Sequence, residues 1–374
     1  MFSSNSTPFR FFVRLVAFIL LLGCTSEVVF RTVIHASQLP LSHFDTTFKI
    51  DKYDPEWHTT GLLTYGRLGT PAGFWRINNA GWISAVDYLP PPERSLPLIA
   101  ILGDSYIEGL LSDVDKHVDR YLSTALAGRY DVYSFAKSGW YLQQYVAVAR
   151  YVKQCYQPSL LVIFVNRRDV SSSLRENGVQ SPKWFQLGIA GTTFQEIPPT
   201  AYESRLTSLK HAVNSSATAR YLLFNAGMEI SGLGEAPIKD ANLQDNDSPA
   251  PKTTDNQPTG ESNLALLRPA KFMVDQLCAE NPDTNIVFVA DGPRYLSPAQ
   301  LTANQMEPDA AAIQMACRAN PQCYFLDLRH AFSADWQRHH RQFESVDGHH
   351  WSAYGNQVVA QALAEFLKNA GLVE

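Results

Sequence analysis

The chain has 374 residues, 45% of them hydrophobic and 18% charged, which allows one large domain or two modest ones. Its formal net charge is -5 and its Lys and Arg residues are scattered, so the sequence argues against a nucleic-acid-binding protein. The five cysteines lack the spacing of a zinc site and there is no glycine-rich phosphate loop, so no metal or cofactor is predicted.

Residues 1–34 are predicted to form a targeting or membrane segment. The uncharged run 15–26 is short for a bilayer span but suits a signal sequence, and it extends to residue 34 if the flanking charges lie at the membrane surfaces. Three interpretations stay open: a retained signal anchor, a lipoprotein signal lipidated at Cys24, and an ordinary cleaved signal. All three place the rest of the chain outside the cytoplasm, in the periplasm or the extracellular space, because Arg10 and Arg14 precede the apolar run.

Residues 35–96 are polar, aromatic and rich in Pro and Gly. This composition predicts an irregular approach segment, with short strands around 62–67 and 73–77. From residue 97 onward the pattern changes to alternating strands and helices.

Continuous apolar runs predict strands buried on both faces of a parallel sheet. These runs lie at 97–104, 131–139, 159–166, 285–292 and 323–328. Amphipathic helices are predicted near 115–128, 141–154 and 308–319, and from Ser352 to Ala370 with Ser352 as N-cap. The alternation predicts one α/β domain over residues 97–370, a three-layer sandwich with a central parallel sheet.

Two local features depart from the alternation of strands and helices. Residues 231–262 lack apolar periodicity and are rich in Pro, Asp, Asn, Gly and Thr, which predicts a flexible insertion, either a solvated loop or a lid. Cys317 and Cys323 flank a short turn and either form a disulfide in an exported domain or remain buried thiols.

The motif GDSYIEG (103–109) directly follows the first apolar strand. Open parallel sheets bind ligands at the carboxyl ends of their strands, so Ser105 is expected at the mouth of a site. A serine hydroxyl is a poor nucleophile without a base. Ser105 is therefore a candidate nucleophile in need of a partner.

The candidate base lies in DGHHWSAYG (347–355), just before the final helix. A carboxylate three residues before a histidine in a turn can accept the histidine Nδ1–H and leave Nε2 free to take the serine proton. This spacing favours His350 with Asp347, although the adjacent His349 is a rival.

Together the serine block and the Asp-x-x-His block resemble the SGNH (GDSL-type) hydrolase superfamily, over roughly residues 97–370. The segments EVVFR (27–31) and WRINNAGW (75–82) are similar to those of its membrane-anchored members. The resemblance implies a flavodoxin-like α/β/α sandwich and ester hydrolysis or acyl transfer. It assigns Ser105 as nucleophile, His350 as base and Asp347 as the residue that orients the base.

The same resemblance implies an oxyanion hole built from the Ser105 N–H, a glycine N–H and an asparagine side chain. Gly139 in AKSGW matches the glycine. The family's Gly-x-Asn-Asp block is replaced by NRRD (166–169), so either Asn166 supplies the donor after a local shift or Arg168 replaces it. An arginine there would favour anionic substrates.

Three further residues are candidates for substrate contact. Tyr106 and Trp140 adjoin the two blocks and either contact the acyl group or sugar or belong to ordinary packing. Arg294 follows the fourth apolar strand and could bind a substrate carboxylate.

Three functions are compatible with these residues. The first is an exported, membrane-tethered esterase that removes O-acyl groups, expected to be O-acetyl, from a glycan. The second is an O-acetyltransferase that acylates a cell-surface polysaccharide with the same three residues. The third is a non-catalytic glycan-binding or assembly protein that retains the fold, which the altered NRRD block would suit.

Overall fold

The computed structural model describes residues 7–176, 183–191, 193–200, 207–228, 260–303 and 306–374. Most of the predicted insertion, residues 231–259, lies outside the described residues. Its last three residues, 260–262, begin a helix, α7 (Gly260–Glu280).

The amino-terminal part is more ordered than predicted. A long helix, α1 (Thr7–Thr32), leads into two antiparallel hairpins. Their strands are β1 (Ser42–Asp45), β2 (Ile50–Tyr53), β3 (Thr60–Tyr65) and β4 (Thr70–Arg76). β3 and β4 match the two predicted strands, whereas β1 and β2 were not predicted. Trp82 and Tyr88 of the approach segment pack into the same core cluster as Leu98, so this segment folds onto the α/β domain.

The central sheet is five-stranded and wholly parallel. Its strands are β5 (Leu98–Gly103), β6 (Asp131–Ala136), β7 (Leu160–Val165), β10 (Asn285–Ala290) and β11 (Cys323–Asp327). They lie in the order β11-β10-β7-β5-β6, which is the flavodoxin-like order. Because β5 connects to β6 on one side while β7 lies on its other side, the strand order reverses between β5 and β7, where such sheets bind ligands.

Helices cover both faces of the sheet and form the predicted three-layer sandwich. One face packs against α4 (Leu142–Tyr156), α7 and α9 (Pro308–Cys317). The other face packs against α3 (Val118–Ala125), α10 (Leu328–His339) and α11 (Ala353–Asn369). Ser352 caps α11, since its side chain accepts a hydrogen bond from the backbone N–H of Gly355.

Shorter elements complete the described part of the chain. They are α2 (Ser105–Glu108), a hairpin of β8 (Gln186–Ala190) and β9 (Thr193–Ile197), α5 (Thr207–Ser215), α6 (Ala217–Arg220) and α8 (Pro298–Ala303). The β8–β9 hairpin, α7 and α10 were missed from sequence. Cys317 and Cys323 form a disulfide between the end of α9 and the start of β11.

Helix α1 contains a stretch, Phe9–Thr32, that is long and apolar enough to cross a membrane, with a mean hydropathy of 2.0 and none of the most apolar window buried. It was the one such stretch found when the described residues were searched. A signal sequence near an amino terminus has the same character, so length and composition leave both interpretations.

Candidate active site

Ser105 lies at the reversal point of the sheet, directly after β5 and at the first position of α2. Asp104 caps this short helix by accepting a hydrogen bond from the backbone N–H of Tyr106 at 3.1 Å. The turn requires glycine two positions before the serine, because a Cβ on Gly103 would lie 2.6 Å from the side chain of Ile107. Ser105 is half-buried.

The loop before α11 brings His350 to Ser105. His350 Nε2 lies 2.8 Å from Ser105 Oγ, and His350 Nδ1 lies 2.6 Å from Asp347 Oδ2. The other carboxylate oxygen, Oδ1, accepts the backbone N–H groups of His349 and His350 at 3.0 and 3.1 Å. Burial alone would raise the pKa of Asp347, but the hydrogen bonds and charge of His350 lower it below its ordinary value. An ionised Asp347 accepts from Nδ1–H, which leaves Nε2 as the acceptor for the serine proton.

His349, the rival base, points away from Ser105. Its Nε2 lies 3.0 Å from the Tyr106 hydroxyl. Burial, followed by the neighbouring charge of His350, lowers its pKa. The two histidines therefore have different partners: His350 contacts Ser105, and His349 contacts Tyr106.

Besides the backbone N–H of Ser105, the candidate oxyanion donors lie on two neighbouring loops, one with Gly139 and one with Asn166. The backbone N–H of Lys137 donates to Gly103 O at 3.4 Å, which brings the loop containing Gly139 alongside Ser105. Gly139 has a φ of +82°, a conformation that favours glycine, and an added Cβ would lie 2.9 Å from the ring of Trp184. Position 139 therefore requires glycine for both its backbone and its neighbour.

Asn166 is the third oxyanion candidate, at the end of β7. Its Nδ2 donates to Asp104 Oδ2 at 2.6 Å, next to the serine. Its backbone N–H donates to Asp169 Oδ2 at 2.9 Å. An amide nitrogen carries two hydrogens, so one remains for a further acceptor. The side chain of Arg168 is exposed. The contact with Asp104 favours Asn166 over Arg168.

Asp169 is buried at this site, and Asp104 is half-buried beside it. Burial raises the pKa of each carboxyl, hydrogen bonds oppose the rise, and in Asp169 the charge of Asp104 adds to it. They support Asn166 from two sides, through its side chain and its backbone.

The three predicted substrate-contact residues are engaged elsewhere. Trp140 is 1% exposed and packs edge-on against Trp82 in the core, so it takes the packing role that the sequence left open. Tyr106 is 8% exposed and its ring lies against that of His350. The hypothesis that either contacts substrate does not fit this burial.

Arg294 also differs from the sequence hypothesis. Its guanidinium donates to Asp291 at 2.8 Å, to Glu344 at 2.9 Å and to the backbone oxygen of His349 at 2.8 Å. These internal acceptors occupy the group that was expected to bind a substrate carboxylate. Arg294 instead ties the histidine loop to the end of β10.

Sequence reasoning missed a set of residues around Gly139. Glu108, Lys137 and Tyr53 are buried there, and Ser138 and Trp184 are half-buried. Glu108 lies inside the serine motif and Ser138 directly precedes Gly139, so position in the two blocks was the available signal. No group of three or more His, Cys, Asp or Glu side chains suited to a metal occurs among the residues that the structure describes.

No protein-family model and no curated protein matches the chain. Among solved structures, a carbohydrate esterase family 2 enzyme with a carbohydrate-binding domain from Corynascus thermopiles (Myceliophthora fergusii) aligns at 14% identity and a TM-score of 0.36, over 78% of this chain and 69% of that one. An acetyl xylan esterase from Butyrivibrio proteoclasticus aligns at 11% identity and a TM-score of 0.36, over 78% and 66%.

A salicylyl-acyltransferase from a tetracycline biosynthetic pathway aligns at 11% identity and a TM-score of 0.37, over 75% of this chain and 57% of that one. The chain thus spans between about half and two thirds of the length of these proteins. TM-scores below 0.5 do not transfer a function, so the function has to be argued from the site itself.

Proposed function

We propose that this protein is an exported, membrane-tethered serine esterase that removes O-acyl groups, chiefly O-acetyl, from a glycan. The observation that carries the proposal is the chain of two hydrogen bonds from Ser105 Oγ through His350 to Asp347, with lengths of 2.8 and 2.6 Å. These distances lie within the range that general-base activation of a hydroxyl requires.

In the proposed reaction, Ser105 Oγ attacks the ester carbonyl carbon while His350 Nε2 takes the hydroxyl proton. The carbonyl oxygen becomes an oxyanion, which accepts hydrogen bonds from the backbone N–H groups of Ser105 and Gly139 and from Asn166 Nδ2. When the intermediate collapses, the bond between the carbonyl carbon and the sugar oxygen breaks and His350 gives its proton to that oxygen. The sugar leaves as an alcohol, and the acyl group remains on Ser105. Water, activated by the same histidine, then releases the carboxylic acid and restores the serine.

The proposed location rests on α1 and its flanking charges. Arg10 and Arg14 near the start of the helix favour the cytoplasmic side for that end, which leaves the α/β domain outside. Cell-surface glycans are then within reach of the domain, and this supports a glycan ester as substrate.

The test is hydrolysis of p-nitrophenyl acetate by the full-length protein in detergent. Ser105→Ala should lower kcat by at least about 10³-fold, because the nucleophile is lost. Ser123→Ala, a serine on α3, is the matched control and should behave as wild type. A fluorophosphonate probe should label wild type and the control but not Ser105→Ala. Failure of wild-type protein to hydrolyse and to label would overturn the proposal in favour of a non-catalytic role.

An O-acetyltransferase acting on a surface polysaccharide is the second candidate, and the membrane helix favours it. In that case a sugar hydroxyl replaces water in the second half of the reaction. The two functions are separated by comparing the rate of acetyl transfer to an oligosaccharide acceptor with the rate of acetate release. A transfer rate above the release rate would overturn the esterase proposal in favour of the transferase.

A further inference from the structure

A buried carboxyl group links two of the three segments that carry the proposed oxyanion donors. Glu108 is the last residue of α2, three positions after Ser105, and only 2% of it is exposed. It accepts a hydrogen bond from the hydroxyl of Ser138, which directly precedes Gly139. It also accepts one from the hydroxyl of Tyr53 on β2. One side chain therefore connects the nucleophile turn, the glycine loop and the approach segment.

The glycine loop is held at the preceding residue as well. Lys137 is buried and pairs with Asp51 of β2 at 2.8 Å. Its ammonium group lies 4.4 Å from the centre of the Tyr53 ring, and it also donates to the backbone oxygen of Lys52 at 3.0 Å. Two consecutive residues before Gly139 are thus attached to the same hairpin.

Burial of a carboxylate costs free energy unless hydrogen bonds and opposite charge compensate. Burial raises the pKa of Glu108, while Ser138, Tyr53 and the charge of Lys137 oppose that rise. A leucine-like residue would fill the same space without this cost. Leucine, however, could not accept the hydrogen bonds of the Ser138 and Tyr53 hydroxyls, so the buried carboxyl group links chain segments in a way that apolar packing does not.

We propose that Glu108 is a positioning residue that holds the Gly139 N–H at the correct distance from the Ser105 N–H, so that both donate to one oxyanion. This role rests on the proposed function. Because an oxyanion hole stabilises charge that appears only in the transition state, a displaced donor lowers kcat more than it raises KM.

The first test is Glu108→Gln in full-length protein, assayed with p-nitrophenyl acetate. We expect kcat to fall by about 10- to 100-fold, less than the full loss of a donor, with KM changing less than twofold. The rate of fluorophosphonate labelling at Ser105 should fall in parallel, because its tetrahedral phosphorus transition state uses the same donors. Val274→Ala, in the core of α7, is the control for lost stability and should lower Tm without lowering kcat at 25 °C.

A second, milder pair of variants keeps the test valid if Glu108→Gln does not fold. Ser138→Ala removes the hydroxyl that reaches Glu108, whereas Ser138→Thr keeps it. The proposal expects a lowered kcat in the alanine variant and recovery in the threonine variant. Equal, wild-type kcat in Ser138→Ala and Ser138→Thr would overturn the positioning role and leave the esterase intact. Wild-type protein without activity or labelling would overturn both.

Discussion

At the scale of single residues, the site depends on which ring nitrogen of His350 faces the serine. Asp347 accepts hydrogen bonds from the Nδ1–H of His350 and from two backbone N–H groups, and these bonds fix the orientation of the imidazole ring. The spacing Asp-x-x-His is short-range and therefore legible in sequence. The role of the segment NRRD (166–169) was not legible, because the choice between Asn166 and Arg168 as candidate donor needed their spatial neighbours.

Asn166→Ala is expected to lower kcat by about 10²- to 10³-fold, with little change in KM, since it removes a proposed donor to the oxyanion. Arg168→Ala, two positions away with an exposed side chain, should change kcat less than threefold on a neutral ester. The measurement is steady-state kinetics with p-nitrophenyl acetate. The reverse outcome, a large loss in Arg168→Ala and none in Asn166→Ala, would assign the donor to the arginine.

At the scale of elements, the turn after α2 determines how the nucleophile segment is braced. Gly109 ends α2 with a φ of +70°, and an added Cβ there would lie 2.7 Å from the ring of His117. His117 is 2% exposed and its Nε2 lies 3.1 Å from Ser112 O. A neutral histidine can be buried in this position at little cost in free energy, whereas burial disfavours its protonated form.

The pH dependence of stability follows from this burial. Burial lowers the pKa of His117, although Asp119 and two backbone oxygens oppose it. The unfolded chain therefore takes up the proton first, and folding stability is lost as pH falls through about 6.5. Relative to wild type, His117→Gln should become progressively more stable in chemical denaturation as pH is lowered from 7.5 to 5.5.

The comparison with wild type isolates this histidine. Asp104 and Glu108 have raised pKa values and shift stability in the opposite direction, since the folded state binds their protons first. Both carboxyls are present in the two proteins, so their contribution cancels. A stability difference that stayed constant with pH would contradict the assignment to His117.

At the scale of the whole molecule, α1 packs directly against another part of the chain, around α6. Glu27 accepts the backbone N–H groups of Ala217 and Thr218, at the start of α6, at 2.9 and 3.0 Å. Phe30, one turn further along α1, stacks on Tyr221 with ring centres 3.9 Å apart. The free part of the helix, residues 9–25, is about 26 Å long, close to the thickness of the bilayer core. These contacts attach the carboxyl-terminal end of α1 to the rest of the chain, as the proposed retained anchor requires.

Glu27→Ala should lower the stability of full-length protein in detergent by about 1 kcal/mol, the usual cost of losing a side-chain helix cap. At this size, that corresponds to a fall in Tm of about 2–4 °C or less. Glu365→Ala, an exposed glutamate on α11, is the control and should leave Tm unchanged. An unchanged Tm in Glu27→Ala would indicate that α1 is only a tether.

The sequence by itself determined the five strands of the parallel sheet, four of the helices beside it, the serine turn and the Asp-x-x-His spacing. These are encoded by hydrophobic periodicity and by residues within a few positions of one another, so local physics is sufficient. Helix α10 and hairpin β8–β9 escaped detection because their apolar residues do not form a clear periodic stripe.

Tertiary structure alone decided which distant side chains meet. Strand order places chain segments side by side at one edge of the sheet. The Asn166–Asp104 contact, the Glu108–Ser138 link and the Arg294–Glu344 ion pair follow from it. Tens of residues separate most of these partners, and no periodic pattern records such a pairing. The sequence therefore predicts the chemical groups of the site, while the fold decides what each group binds.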